Sequence, residues 1–191
     1  LDEIHDAIRI SAAQGADLVA SRIGEQTAFL ETLSQDKAIL AYVKAGATLS
    51  EADLRHLKSE TERMGYQVLG IAGPDGQALR SDGVKLSVAD REFFTVAKDG
   101  KSNISDVLID KVTGEPISIY AAPIAENGTI YGVIYGVRDA RELGDMLTGI
   151  TFGDTGYAYI INKEGTLTAH PTNFDLVAKF DNTTAGRNAF L

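Results

Sequence analysis

Apolar side chains recur with the period of an α-helix through the beginning of the chain. Residues 1 to about 33 carry them at spacings of three, four or seven, and charged residues take the other faces. The stripe consists of Ile4, Ile8, Ala12, Val19, Ile23, Leu30 and Leu33. A helix of that length is about 45–50 Å long, which exceeds the width of a typical small domain. It therefore either extends beyond its domain or braces two parts of it.

Two shorter helices are predicted next, over residues 36–44 and 51–64. Ser50 stands before the second of them and an acid, Asp53, follows three residues later, which is the pattern of a capping box. Gly65 supplies the stop signal.

From residue 66 the apolar period shortens to that of β-strands. Five strands are predicted, over residues 66–72, 78–81, 104–110, 116–124 and 129–138. A short helix is predicted in SVADREFF, with Ser87 and Asp90 as its capping pair. This alternation of helices and antiparallel strands predicts an α+β fold.

Asn127-Gly128 separates the last two predicted strands and is typical of a two-residue hairpin turn. If that turn sets the register, Tyr120 faces Tyr135 and Ser118 faces Val137. The other face then consists of Ile117, Ile119, Ala121, Ile130 and Ile134. The apolar face suits packing on the long helix. The face with the two tyrosines is either solvated or the floor of a pocket.

A second strand–turn–strand pattern begins after the helix predicted at residues 139–148. GDTGYAYIINKEGTLTAHP echoes YQVLGIAGPDGQALR from some ninety residues earlier. Because too few residues remain after Pro171 for another five-stranded sheet, the pattern predicts an incomplete second copy of one module.

Composition excludes several classes of function. The formal net charge of the 191 residues is −9, which argues against binding to nucleic acid. The chain has no cysteine, and no apolar run reaches the length that crosses a bilayer. The sequence has no catalytic or metal-binding motif, and its three histidines (His5, His56 and His170) suit solvated or structural positions. We therefore expect no catalysis, no metal and no cofactor.

The order of these motifs resembles that of the double Cache domain. The chain has a long helix, a strand with an Asp-Gly turn, a DREFF helix start and ISDVLIDKVTGEPISIYAAPI. GTIYGVIYGV, a short helix and GDTGYAYIINKEGTLTAHP follow. Double Cache domains are extracytoplasmic sensors of bacterial and archaeal chemoreceptors, histidine kinases and cyclic-dinucleotide enzymes. The resemblance implies a membrane-distal PAS-like module that binds a small ligand between its sheet and a helical lid.

The resemblance also implies which positions contact the ligand. Members that sense amino acids carry an Arg-x-Trp-Tyr lid motif, a tyrosine in the third strand and an aspartate near the end of the last strand. Arg91 keeps the arginine, and Phe93 and Phe94 keep the aromatic character. Leu108 and Val137 stand at the tyrosine and aspartate positions. Most of the amino-acid signature is therefore absent.

The residues themselves suggest a role for each member of this site. Arg91 matches a ligand carboxylate, and an ion pair with a neighbouring acid is the alternative. Phe93 and Phe94 are either pocket walls or core residues. Asp106 and Asp110 are either acids for a ligand amine or surface charges. The predicted ligand-binding residues are Arg91, Phe93, Phe94, Asp106, Leu108, Asp110, Ser118, Tyr120, Tyr135 and Val137.

We predict three parts of the chain. Residues 1–64 form the long helix and helical linkers, residues 65–148 a PAS-like module with a five-stranded antiparallel sheet, and residues 149–191 the start of a second module. The expected function is that of the extracytoplasmic portion of a membrane-anchored chemoreceptor that binds an organic acid, an amino acid or a derivative. The alternatives are a sensor of a histidine kinase or diguanylate cyclase, a module that dimerises through the N-terminal helix without a ligand, and a cytoplasmic PAS-like domain with a cofactor.

Overall fold

The computed structural model describes residues 2–46, 49–110, 113–162 and 165–178. The helices are α1 (Asp2–Leu33), α2 (Lys37–Ala45), α3 (Glu51–Arg63), α4 (Glu92–Lys98), α5 (Arg141–Leu147) and α6 (Phe174–Ala178). The strands are β1 (Val68–Ala72), β2 (Gln77–Arg80), β3 (Lys85–Ser87), β4 (Asn103–Ile104), β5 (Leu108–Ile109), β6 (Pro116–Glu126), β7 (Thr129–Asp139), β8 (Thr151–Phe152), β9 (Gly156–Tyr157), β10 (Ile160–Ile161) and β11 (Leu167–Ala169). The predicted α+β class, with its long N-terminal helix, is confirmed.

The chain divides into two compact units. The central unit comprises residues 23–105 and 118–138, and the terminal unit comprises residues 1–22, 106–117 and the part of the chain from residue 139 onward. These units combine segments that are separate in the sequence, whereas the three predicted parts are continuous ranges. The three ranges remain a prediction.

The helical half of the central unit forms where the sequence pattern places it. Leu30 and Leu33 of the α1 stripe are buried, and they pack with residues of α2, α3 and the sheet. The Ser50 hydroxyl accepts a hydrogen bond from the Asp53 amide while the Asp53 carboxylate accepts one from the Ser50 amide. These reciprocal bonds form the predicted capping box of α3.

Within the described residues, β1 to β7 form one large antiparallel sheet in the order β3-β2-β1-β7-β6-β4, and β5 also pairs with β6. It contains seven strands rather than five, partly because the predicted strand 104–110 is broken. Ile104 pairs with Tyr120, whereas Leu108 pairs with Ile117. One extra residue therefore lies between the two pairs on the first strand, as in a β-bulge, and divides it into β4 and β5.

The sheet of the central unit has two buried faces. Leu69 and Ile71 of β1 point to the helix-side face and join one cluster with residues of α1, α2 and α3. Gly70 and Ala72 alternate with them and point to the opposite face. We call this opposite face the α4-side face, because the Phe93 ring of α4 contacts the Tyr135 ring there.

The predicted opposition of Tyr120 and Tyr135 is wrong. Tyr135 pairs with Gly70 and lies on the α4-side face. Tyr120 belongs to the helix-side cluster, and its ring meets the Tyr66 ring edge to face at a centroid distance of 6.4 Å. The predicted apolar face is wrong for β6, since Tyr120 and Ala122 pack on the helices in place of Ile119 and Ala121, whereas Ile134 of β7 does lie on the helix side.

An irregularity in β7 explains this error. Tyr131 and Ile134 both pack against the helix-side cluster, although residues three apart on a regular strand point to opposite faces. The Asn127-Gly128 turn itself has the positive φ angles of 52° and 79° that its type requires. The turn therefore sets the register only as far as Tyr131. Between Tyr131 and Ile134, β7 contains one extra residue, as in a β-bulge, and this residue reverses the face to which the following side chains point.

The start of α4 also differs from prediction. The helix begins at Glu92, with Arg91 at its N-cap, and no side chain caps it. Ser87 ends β3 instead of capping the helix, so the predicted Ser87–Asp90 capping pair is wrong. The Val88 amide donates to the Gly76 carbonyl, and Lys98 Nζ donates to the Pro74 carbonyl. Both ends of the α4 segment are thereby tied to the β1–β2 turn.

The terminal unit contains the second strand–turn–strand pattern in shorter form. β10 pairs with β11 and β8 with β9, all antiparallel. The predicted Lys-Glu-Gly turn lies partly outside the described residues. His170 is buried, and its Nδ1 accepts bonds from the amides of Thr172 and Asn173. These contacts account for His170 as a structural residue.

Candidate functional site

The α4-side face of the central unit carries a row of three residues across three strands. Arg80 on β2 pairs with Gly70 on β1, which in turn pairs with Tyr135 on β7. Partners in an antiparallel sheet point to the same face, so Arg80 and Tyr135 flank Gly70 on the side covered by α4. Both are buried, with exposed fractions of 7% and 2%.

Gly70 allows Tyr135 to lie flat across β1. A Cβ atom added at Gly70 would come within 2.2 Å of Tyr135 Cζ and 2.5 Å of its hydroxyl oxygen. The hydroxyl end of Tyr135 therefore lies over β1, toward the strand that carries Arg80. The Phe93 ring covers Tyr135 from α4, with ring centroids 5.4 Å apart.

Arg80 was not among the residues predicted from the sequence. Its guanidinium forms an ion pair with Asp82, Nη2 to Oδ2 at 2.9 Å, and the Asp82 side chain is more exposed, at 39%. The sequence signal that could have identified Arg80 is the alternation along Ala78, Leu79 and Arg80. Because Leu79 points to the helix-side face, Arg80 must point to the α4-side face. A charged residue next to a turn, however, is usually solvated.

Arg91 lies at the N-cap of α4 and is half-buried. Within the described part of the chain, its side chain forms no ion pair or hydrogen bond, so the alternative of an ion pair with a neighbouring acid has no support there. Phe93 and Phe94 are both buried. Phe93 faces Tyr135, whereas Phe94 lies 5.8 Å from Lys98 Nζ, measured to the ring centroid.

Three predicted residues belong to the terminal unit. Asp106 accepts hydrogen bonds from Asn162 Nδ2 at 2.9 and 3.2 Å. The Asp110 carboxylate accepts a hydrogen bond from the Thr113 amide at 2.9 Å. Leu108 pairs with Ile117 on the edge of the sheet. Each has a structural role of its own, and their predicted ligand contacts remain predictions.

The remaining predicted residues lie on β6 and β7. Val137 pairs with Val68 and supplies a hydrocarbon surface on the α4-side face. Tyr120 lies on the helix-side face, as described above. Ser118 is buried, and its hydroxyl has no hydrogen-bond partner among the described residues. Alternation along β6 places Ser118 on the same face as Tyr120.

The described residues offer little for a metal or for a second site. They contain no group of three or more histidine or acidic side chains suited to holding a metal ion. A cavity of about 20 Å³ lies among α2, α3 and β1, on the helix side, with Ile39, Leu57 and Ile71 in its lining. That volume holds about one water molecule. Also within the described ranges, no helix combines the length and the hydrophobicity needed to cross a bilayer.

Solved structures with this fold include the ligand-binding domains of chemoreceptors. The domain of Pseudomonas fluorescens CtaA in complex with L-serine has a TM-score of 0.72 and 16% identity, over 90% of this chain and 74% of that one. For Pseudomonas aeruginosa PAO1 PctB in complex with L-Arg, the TM-score is 0.74 at 16% identity, over 91% and 73%. The sensory domain of Campylobacter jejuni Tlp3 with isoleucine bound has a TM-score of 0.64 at 15% identity, over 99% and 80%.

Sequence comparison with curated proteins gives no match. The profile of the Cache domain family, in its double Cache form, matches residues 1–187. With the long helix, the antiparallel sheet and the second, shorter strand–turn–strand unit described above, this match confirms the resemblance noted in the sequence. The chain therefore belongs to the Cache domain family and is a double Cache sensor domain.

Proposed function

We propose that this chain is the extracytoplasmic ligand-binding portion of a membrane-anchored chemotaxis receptor. Its ligand is a small polar or carboxylate-bearing solute, which binds between α4 and the α4-side face of the central unit. Binding draws α4 onto the sheet, and the altered packing is the signal. The signal is limited by the difference in ligand affinity between the two states.

The observation that carries this proposal is the environment of Arg91. Arg91 is half-buried and stands at the start of the helix whose Phe93 ring covers Tyr135. A guanidinium matches a carboxylate with two parallel hydrogen bonds. Since Arg91 forms no ion pair with a described residue, a ligand carboxylate is the partner we assign to it.

The ligand class is an organic acid, an amino acid or a derivative. The CtaA, PctB and Tlp3 domains were solved with amino acids. This chain has Phe94, Leu108 and Val137 where the amino-acid signature expects polar side chains, so we extend the class beyond the standard amino acids. We propose no catalytic role for the domain.

A thermal-shift screen of organic acids, amino acids and their derivatives tests the proposal, because a ligand that binds the folded state raises its melting temperature. Isothermal titration of the best hit then compares wild type with Arg91→Ala, for which we expect affinity to fall about tenfold or more. Arg55→Ala is the matched control, since Arg55 is an exposed arginine on α3. A complete library without a shift, or equal affinities for the wild type and Arg91→Ala, would refute the proposed role.

One observation favours a second candidate, a module that dimerises without a ligand. Ile4 and Ile8 lie one turn apart on α1 and are exposed at 63% and 43%. Paired apolar residues on a long helix suit a two-helix interface. The thermal-shift screen separates the two candidates, because only a ligand-binding domain responds to it.

A further inference from the structure

We infer that Arg80 is a second ligand-binding arginine, and that the ligand is a small organic acid without an ammonium group. The inference rests on the proposed function, because it concerns the same face of the sheet. Arg80 belongs to the sheet, whereas Arg91 belongs to the helix that covers it. The two guanidiniums would contact the ligand from different elements.

Burial and register place Arg80 at this site. Its pairing with Gly70 and the alternation with Leu79 direct its side chain to the α4-side face. Only 8% of the side chain is exposed. Keeping a cation buried costs free energy unless anionic or polar groups surround it. Asp82 supplies one such group from the β2–β3 turn.

Tyr135 adds a hydrogen-bonding group beside Arg80. Its hydroxyl end lies over Gly70, between β7 and the strand of Arg80. A phenol and a guanidinium side by side suit the two oxygens of a carboxylate, since both groups donate hydrogen bonds. The Phe93 ring covers this proposed carboxylate site from the α4 side and reduces the access of water to it.

The other residues of this face decide the ligand class. The paired positions on either side of the row are hydrocarbon: Ala72, Ala78 and Val133 on one side, and Val68 and Val137 on the other. Arg80 is the charged residue of these three rows. The neighbouring Asp82 carboxylate lies outside the rows and is engaged in the ion pair with Arg80. An ammonium group of a ligand on the rows would therefore meet Arg80 and hydrocarbon, whereas a hydroxyl or methylene group would not be repelled.

Matched pairs of ligands test the class. L-lactate and L-alanine differ only in a hydroxyl against an ammonium group, and L-malate and L-aspartate differ in the same way. Isothermal titration of the whole chain should give tighter binding of at least one hydroxy acid than of its amino partner, by about tenfold or more. Tighter binding of the amino acid in both pairs would overturn the inference.

Three variants test the residue. Arg80→Gln should weaken hydroxy-acid binding by about tenfold or more, and Arg80→Lys should weaken it less, because the charge remains while the planar fork is lost. Asp82→Asn is the control: it removes the ion pair between Asp82 and Arg80 but keeps the Arg80 guanidinium, so it should leave ligand affinity equal or higher. Melting curves without ligand establish whether each variant folds. If Arg80→Gln does not fold, Arg80→Lys replaces it in the comparison of ligand affinities.

The outcomes separate this inference from the proposal on which it rests. If wild type binds a ligand and both Arg80→Gln and Arg80→Lys bind it with the same affinity, the sensor proposal stands but the role of Arg80 is overturned. A loss of affinity in Asp82→Asn equal to that in Arg80→Gln also overturns it, since the ion pair would then be the cause. If wild type binds none of the four acids and the broader screen finds no other ligand, both fail.

Discussion

Two tyrosines in the central unit lie flat over glycines of the sheet. Tyr135 covers Gly70, and a Cβ at Gly136 would come within 2.4 Å of Tyr66 Cε1. An aromatic ring over a strand glycine restores the buried surface that the missing side chain would have supplied. The sequence shows the glycines, but the bulge in β7 decides which ring reaches which glycine. The contacts of single residues therefore could not be predicted from the sequence, although Phe93 and Tyr135, which meet here, were both predicted as members of one site.

Replacing Gly70 by alanine should destabilise the central unit. The new methyl group would overlap the Tyr135 ring, and overpacking of this kind costs about 2 kcal/mol in the free energy of unfolding. Chemical denaturation measures the change. Gly24→Ala is the control, because the methyl group added there in α1 meets no atom within 4 Å apart from its chain neighbours and the backbone of its own helix. There, helix propensity should raise stability by roughly 0.5–1 kcal/mol. Equal effects at the two glycines would contradict the packing described here.

Arg138→Met should be among the most destabilising single changes. Arg138 Nη1 donates to Gln26 Oε1 at 3.0 Å and to the Met64 carbonyl at 2.8 Å, and Gln26 is buried. Removing the guanidinium leaves the buried Gln26 Oε1 and the partly buried Met64 carbonyl without this donor, at a cost of about 2–4 kcal/mol in unfolding free energy.

The matched control is Arg141→Met, which removes an arginine that is 55% exposed and paired with Asp139. Exposed ion pairs contribute about 0–1 kcal/mol. Denaturant titration of both variants gives the comparison, and a cost at Arg138 no larger than that at Arg141 would show that the buried network is not stabilising.

At the scale of the element, helices and turns follow the sequence closely, whereas the facing of strands does not. The bounds of α1 and α3 agree with prediction to about one residue, since period and capping residues act locally. The facing of β6 against β7 depends on one extra residue beyond Tyr131. Gly132 stands at that point, and an isolated glycine in a strand can mark a bulge, but Gly136 gives the same signal in a regular part of β7. The local pattern therefore predicts the strands, and tertiary packing selects their faces.

The capping box of α3 gives a pH-dependent prediction. Hydrogen bonds from Ser50, the side-chain bond first, lower the pKa of Asp53 below its ordinary value of 3.8. A lowered pKa means that the carboxylate stabilises the fold fully above that ordinary value and that this contribution disappears as pH falls through the lowered one.

Ser50→Ala should accordingly cost about 1 kcal/mol in the free energy of unfolding at neutral pH. The difference from wild type should shrink below the ordinary carboxyl value of 3.8. Thermal unfolding across pH measures both effects, and Glu51→Ala in the same helical turn is the control. A difference that stays constant down to acid pH would exclude Asp53 from the cap.

At the scale of the whole molecule, the order of motifs carried more information than any single motif. The family and the α+β class could be predicted from that order, and the profile match over residues 1–187 confirms it. The division into units could not be derived in the same way, because the terminal unit combines residues 1–22, 106–117 and the chain from residue 139 onward. Sequence patterns are local, whereas these three segments meet only in the folded chain.

The exposed apolar residues of α1 predict self-association. If Ile4 and Ile8 form a helix–helix interface, Ile8→Glu should shift sedimentation from dimer toward monomer, because an unpaired carboxylate in an apolar interface is costly. Gln14→Glu, at an exposed polar position of the same helix, is the control. A wild-type chain that sediments as a monomer at high concentration would contradict the interface.

The extra residue in β7 has a practical consequence for changing what the domain recognises. From Val133 to Val137, odd-numbered positions point toward α4, and even-numbered positions such as Ile134 pack on the helices. If the ligand binds on the α4-side face, as proposed above, the odd-numbered positions affect ligand recognition and the even-numbered positions affect the packing of the helices. Substitutions intended to change specificity then belong at Val133, Tyr135 and Val137, and because these residues are buried each variant should also be tested for folding by thermal unfolding.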